Sequence, residues 1–135
     1  MIQAYSNNIS VPANTAVPFN NVKIKKGCTA ALSGPATFQL NKRGVYCVKL
    51  DAYGEAAAAG EISLQLYKNG VAQPDAISQA TGAVGENDTL HFSTLVQVEQ
   101  DNTPCCCTGP VNLNVVTGDT GINGMHINVV ITKMC

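Results

Sequence analysis

The sequence predicts an all-β protein, an antiparallel β-sandwich of jelly-roll type. Three observations carry that expectation. Apolar and polar residues alternate with period two through Val45–Tyr53, Glu61–Lys68 and Asp88–Glu99, the pattern of strands with one buried face. Gly, Pro, Asn and Asp separate such runs at fairly even spacing, as in sandwiches and barrels. No stretch has a convincing helical period. The chain of 135 residues reads as one domain, residues 1–135, long enough to bury a core.

Taken in order, residues 1–21 alternate weakly and are interrupted by Pro12 and Pro18. Proline lacks the ladder donor, so this segment is expected to be an extended N-terminal arm or edge strands. Short strands follow at Val22–Ile24 and Cys28–Leu32, around Lys25-Lys26-Gly27. After a Ser33-Gly34-Pro35 turn, Ala36–Leu40 offers Phe38 and Leu40 to the core. Asn41-Lys42-Arg43-Gly44 then turns the chain into the long strand Val45–Tyr53. Its inward set is Tyr46, Val48, Leu50 and Ala52. Its outward set is Val45, Cys47, Lys49, Asp51 and Tyr53.

Gly54–Gly60 contains four alanines but is short and bounded by glycine at both ends, so it is expected to be a loop. Glu61–Lys68 turns inward Ile62, Leu64 and Leu66. Asn69-Gly70 predicts a two-residue type I′ hairpin, because both central positions need positive φ. Val71–Ala80 returns beside it, with Pro74 marking a bulge or an edge. Gly82–Asn87 is a loop. Asp88–Glu99 turns Leu90, Phe92, Thr94, Val96 and Val98 inward and His91, Ser93, Leu95, Gln97 and Glu99 outward. Gln100–Pro110 is a loop holding a cysteine run. Val111–Thr117 is a strand, Gly118–Gly124 a loop, and Met125–Lys133 a closing strand with Met125, Ile127, Val129 and Ile131 inward. This amounts to roughly eight to ten strands.

Composition narrows the function. Hydrophobic residues make up 45% and charged residues only 13%, so Asn, Thr, Ser and Gln must supply much of the surface polarity. With a net charge of −1 and no basic stripe, the chain does not read as a nucleic-acid binder. Lys23, Lys25 and Lys26, with Lys42 and Arg43 later, read as a solvated edge. No run of about eighteen apolar residues is present, so no membrane insertion is expected. The N-terminus has no basic region followed by an apolar one and does not read as a signal peptide. The default for the six cysteines is therefore reduced thiols. Cys28 and Cys47, inside strand-like runs, read as small buried hydrophobes.

The order of features resembles the C1q/TNF-like jelly-roll superfamily. The residues that carry the resemblance are Phe38, Gly44-Val45-Tyr46 at a strand entry, and the Leu66-Tyr67-Lys68-Asn69-Gly70 hairpin. Leu90–Glu99 stands in the place of the late long strand and Ile127–Ile131 in that of the closing one. The resemblance covers the chain from about residue 30 onward. The run Cys105-Cys106-Cys107 is not a feature of that superfamily. The resemblance implies a compact homotrimer, and apolar residues on outward faces fit it, since three copies around an axis would bury them. The expected trimer interface is Val45, Cys47, Tyr53, Leu95 and Val130.

Catalytic signatures are lacking. There is no Gly-x-Ser-x-Gly elbow, P-loop or Rossmann glycine pattern. His91 and His126 fall on outward faces, and the carboxylates are scattered. No enzyme activity, cofactor or metal is expected. Cys105, Cys106, Cys107 and Cys135 form a possible thiol cluster with three readings: a loop packed by thiols with or without a disulfide, a cluster at a trimer axis, or no role. Neighbouring side chains diverge, and the Cys-x-x-Cys spacing of zinc sites is absent. Glu86-Asn87-Asp88 and Gly118-Asp119-Thr120-Gly121 could offer calcium ligands or be ordinary polar turns.

The expected function is a non-enzymatic structural and adhesion module: a phage capsid decoration, head-fibre or receptor-binding protein, made in the host cytoplasm and carried on the virion. Its partners would be its own copies, capsid or fibre proteins and a cell-surface ligand held by loops. The alternatives are a bacterial spore-coat or secreted C1q-like binding domain, or an enzyme on a jelly-roll base if His91, His126 and a carboxylate converge.

Overall fold

A computed structural model describes residues 1–27, 30–82, 86–98 and 111–134. Ten strands run through these residues: β1 (Ile2–Val11), β2 (Asn21–Lys25), β3 (Ala30–Leu32), β4 (Phe38–Leu40), β5 (Gly44–Ala56), β6 (Gly60–Lys68), β7 (Val71–Gly82), β8 (Asn87–Val98), β9 (Val111–Thr117) and β10 (Ile122–Lys133). They form two antiparallel five-stranded sheets. The first is ordered β2-β1-β10-β5-β8 and the second β3-β4-β9-β6-β7. No helix occurs among the described residues.

Period-two alternation places the core between the sheets. Tyr46, Val48, Leu50 and Ala52 of β5 are buried, as are Leu90, Phe92, Val96 and Val98 of β8 and Met125, Ile127, Val129 and Ile131 of β10. Ile62, Leu64 and Leu66 of β6 and Leu113 and Val115 of β9 face them from the second sheet. Phe19 and Phe38 add a tilted aromatic pair with centroids 4.9 Å apart. Tyr46 is fully buried, and its hydroxyl donates to the Lys42 carbonyl at 2.7 Å, so its one polar atom is satisfied.

The hairpin signal holds. Asn69 (φ 51°) and Gly70 (φ 81°) are both left-handed, and Lys68 pairs with Val71 across them. β7 is the edge of its sheet, and its register against β6 shifts between the Tyr67–Ala72 and Gln65–Ile77 pairs. Pro74 lies in that irregular stretch, where no ladder donor is needed.

Three expectations are corrected. Residues 1–21 are neither an arm nor edge strands throughout, because β1 is paired on both sides, with β10 and with β2. The prolines fall outside it. Pro12 and Pro18 bracket a segment that leaves the first sheet and lies along β9: Ala16 bridges Val116, and the Val17 amide donates to the Val115 carbonyl at 2.7 Å.

The loop expected at Gly54–Gly60 shrinks to residues 57–59, since β5 runs on to Ala56. Gly54 is an in-strand residue paired with Asp88, and a Cβ there would meet Ile122 Cγ2 at 2.6 Å. Its glycine marks a close approach rather than a strand end. The loop expected at Gly118–Gly124 likewise ends at Gly121. Ile122 is buried in β10, and Gly124 (φ 60°) sits in the register shift between Asn123 and His126.

Candidate functional site

The outer face of the first sheet holds every residue expected at the trimer interface, but in two groups. Cys47 is directly opposite Leu95 on β8. Val45 lies diagonal to Leu95, since it pairs with Gln97, and Val130 lies diagonal to Cys47, since it pairs with Lys49. These four therefore form one patch. Leu95 is 59% exposed, while Val45, Cys47 and Val130 are half-buried. Cys47 is a free thiol; it faces outward, as the alternation placed it, and is half-buried rather than the buried hydrophobe its strand context suggested.

Tyr53 is not part of that patch. It lies six residues further along β5, about 20 Å away at the rise of an extended strand. The exposed Lys49 and Asp51 stand between. Tyr53 is 47% exposed and stacks on His126, directly opposite it on β10, with ring centroids 4.8 Å apart and planes at 16°. The His126 Nδ1 lies 3.2 Å from Asn7 Oδ1.

Around this stack is an open depression of about 560 Å³ lined by Tyr5, Lys23, Asp51, Tyr53, His126 and Asn128, among others. Sequence reasoning found Tyr53 as an outward residue but missed Tyr5, Asn128 and the stack. The signal lay in register. Only once β1 and β10 are paired do Tyr5 and Asn128 stand opposite each other.

The second sheet contrasts with this face. The outward residues of its central strands are Glu61, Ser63, Gln65 and Tyr67 on β6 and Asn112, Asn114 and Val116 on β9. Its exposed large apolar residues, Val71 and Ile77, lie on the edge strand β7.

His91 and His126 both occupy outward faces, as expected, but they do not converge. His126 lines the depression with Asp51, whereas His91 lies across the β5–β8 pair opposite Asp51 and outside the lining. The chemistry of a histidine pair with a carboxylate is therefore not assembled there. Among the described residues no group of three His, Cys, Asp or Glu side chains is placed to hold a metal ion. Asp119 is exposed in the turn before β10 and Glu86 is exposed before β8. One carboxylate oxygen of Asp88, Oδ2, is buried without a hydrogen-bond partner.

The thiol cluster of Cys105, Cys106, Cys107 and Cys135 lies outside the described residues, as does Cys28. Of the expected loops, Gln100–Pro110 lies outside them too, and Gly82–Asn87 is described only at its ends. The turns at 57–59 and 118–121 meet: the Ala57 amide donates to the Gly121 carbonyl at 2.9 Å.

No family model and no curated protein matches the chain. Solved structures do. The globular domain of zebrafish complement 1qA is similar over 99% of this chain and 96% of its own, with a TM-score of 0.69 and 10% identity. The vertex protein P5 of phage PRD1 matches over the same shares with a TM-score of 0.69 and 15% identity. The TNF Eiger of S. frugiperda covers 99% of this chain and 92% of its own, with a TM-score of 0.65 and 11% identity. The chain thus has the C1q/TNF-like jelly-roll fold that its sequence resembled, over nearly its whole length.

Proposed function

We propose that residues 1–135 act as a single non-enzymatic structural and adhesion module that assembles as a compact homotrimer through the outer face of the first sheet. The observation that carries this reading is the apolar asymmetry of the two outer faces. Val45, Cys47, Leu95, Val130 and the Tyr53–His126 stack lie on inner strands and β8 of one sheet, while the central strands of the other carry amides, hydroxyls and a carboxylate, with Val116 as their one outward aliphatic residue. Burying the first face three times over removes apolar area from water at about 25 cal/mol per Å². Lys49 and Asp51, between the two apolar groups, supply opposite charges on the same face.

The likeness to a phage vertex protein over nearly the whole chain supports a place on the virion, as a capsid decoration, head-fibre or receptor-binding protein. The equal likeness to a C1q globular domain supports the second reading, a bacterial spore-coat or secreted binding domain. Either way, three equal sites on one rigid base gain affinity by simultaneous engagement.

Light scattering coupled to size exclusion tests the assembly. A mass of three chains at micromolar concentration is expected, and a stable monomer overturns the reading. Mass spectrometry of purified particles tests the location: peptides of this chain in the virion fraction are expected, and their absence there removes the phage role.

A further inference from the structure

The opposite face of the sandwich holds a second depression, of about 370 Å³, within the range of small-molecule sites. Its floor is Ser63 and Gln65 of β6. Glu61, Tyr67, Gln79 and Asp119 stand around it. Gln79 is directly opposite Ser63 across the β6–β7 pair. Because these residues belong to the second sheet and its turns, a trimer closed through the first sheet leaves the depression open to solvent.

The framework of this depression is fixed by backbone bonds. Asn14, at φ 52°, donates its amide to the Gly118 carbonyl at 2.8 Å, and the Gly118 amide donates to the Ser63 carbonyl at 3.1 Å. A Cβ on Gly118 would overlap the Ser63 hydroxyl, which would have to turn away to make room. Beneath, Thr117 is 3% exposed; its hydroxyl donates to the Pro12 carbonyl at 2.6 Å and accepts the Thr15 amide at 3.0 Å. Gln65 Nε2 donates to the Gln73 carbonyl at 3.0 Å, which holds that amide in one orientation. Such order before binding lowers the entropic cost of taking up a ligand.

The lining chemistry selects the ligand. It contains no Lys, Arg or His, so nothing there favours a phosphate, a sulfate or an acidic sugar. It combines two carboxylates, two glutamine amides, hydroxyls and one phenol ring. The polar ends of Glu61, Gln79 and Asp119 have no hydrogen-bond partner among the described residues. A carboxylate can accept from two neighbouring hydroxyls, and an amide both donates and accepts. Vicinal sugar hydroxyls present that pattern, and a tyrosine ring packs on the C–H face of a pyranose while its hydroxyl stays polar. We infer that this depression binds a neutral oligosaccharide. The inference deepens the adhesion reading by naming the ligand class, but the site lies within one chain and does not need the trimer.

The test is a titration of the full chain, ¹⁵N-labelled, with glucose, galactose, rhamnose and N-acetylglucosamine and their linear tetrasaccharides. A pentalysine peptide serves as the competing cationic ligand. One sugar series is expected to shift the amides of Glu61–Tyr67, Gln79 and Val116–Thr120, with the tetrasaccharide binding at least about tenfold tighter than the monosaccharide. Glu61→Gln and Asp119→Asn, both at exposed positions, should each weaken binding about tenfold, as expected for hydrogen bonds to charged groups, with the rest of the spectrum unchanged. If no sugar moves these amides, or pentalysine alone does, the inference is overturned. Light scattering on the same sample separates the two readings: a monomer that binds sugar keeps this site and loses the trimer, and a trimer that binds none does the reverse.

Discussion

Tyr53 and His126 face each other on adjacent strands with their rings stacked, 4.8 Å between centroids. The pair is the largest aromatic feature on the outer face of the first sheet and lies about six strand residues from the second apolar group, centred on Cys47 and Leu95. An interface anchored at both ends resists rocking better than one anchored at a single point. In the proposed trimer it would also divide the binding energy into two separable parts.

Tyr53→Ala should therefore weaken assembly without harming the monomer. The lost ring burial and stacking amount to about 1–2 kcal/mol per chain, and the trimer should dissociate at concentrations at least about tenfold higher in sedimentation velocity. Leu95→Asp places a charge in the other anchor and should give monomer at all micromolar concentrations. An unchanged far-ultraviolet circular dichroism spectrum for both variants is part of the expected outcome. A trimer that survives Leu95→Asp would move the interface off this face.

Gly54→Ala should destabilise the fold itself. The new methyl would sit 2.6 Å from Ile122 Cγ2 and 3.2 Å from both the Asn123 carbonyl oxygen and Met125 Cα. Two of those neighbours are backbone and cannot swing away. Overpacking of this kind costs about 1–3 kcal/mol, read as a lower urea midpoint. Ile122→Ala in the same chain should relieve part of it, so the double variant should lose less than the sum of the two singles.

Gly70 and Gly34 form a matched pair. A Cβ at either would meet nothing within 4 Å, so sterics between residues are equal. Gly70 has φ 81°, whereas Gly34 does not occupy the left-handed region. Gly70→Ala should cost about 1–2 kcal/mol from backbone conformation alone, and Gly34→Ala should change stability by less than about 0.5 kcal/mol. Equal effects in thermal denaturation would contradict the type I′ hairpin.

Tyr46→Phe removes one buried hydrogen bond and leaves the volume nearly intact. The Lys42 carbonyl loses its 2.7 Å donor, and the expected loss is about 1–2 kcal/mol. It should appear as a lower midpoint with an unchanged denaturant slope.

Much of this architecture was legible in the chain because strands with one wet face write their period directly. The inward residues of β5, β6, β8 and β10 follow from alternation alone. What alternation could not supply was register and exceptions to it. Gly54 reads as a strand end from composition, and only the closeness of Ile122 explains a glycine in mid-strand. Pro12 and Pro18 made the whole N-terminal segment look like an edge. They instead bound the short crossing onto β9 and leave β1 free to pair on both sides. The Tyr53–His126 stack follows from the register that runs unbroken from Lys133–Tyr46 to His126–Tyr53, and no local pattern reports which residue of one strand will stand opposite which residue of another. The second depression draws on β6, β7, β9 and two turns, so its chemistry exists only after folding.

The rim where β7 and β8 meet sets a limit on how copies of this chain can add to one another. Both are last strands of their sheets, yet they are tied to each other: Thr94 Oγ1 donates to Asp75 Oδ2 at 2.8 Å, and the His91 backbone amide donates to Ser78 Oγ at 3.1 Å. That amide would otherwise be an open socket for a foreign strand, and Pro74 removes another donor from the neighbouring edge. Strand-by-strand growth into a filament is blocked on this side. What this rim leaves open to another copy is contact between faces, the mode on which the proposed trimer relies.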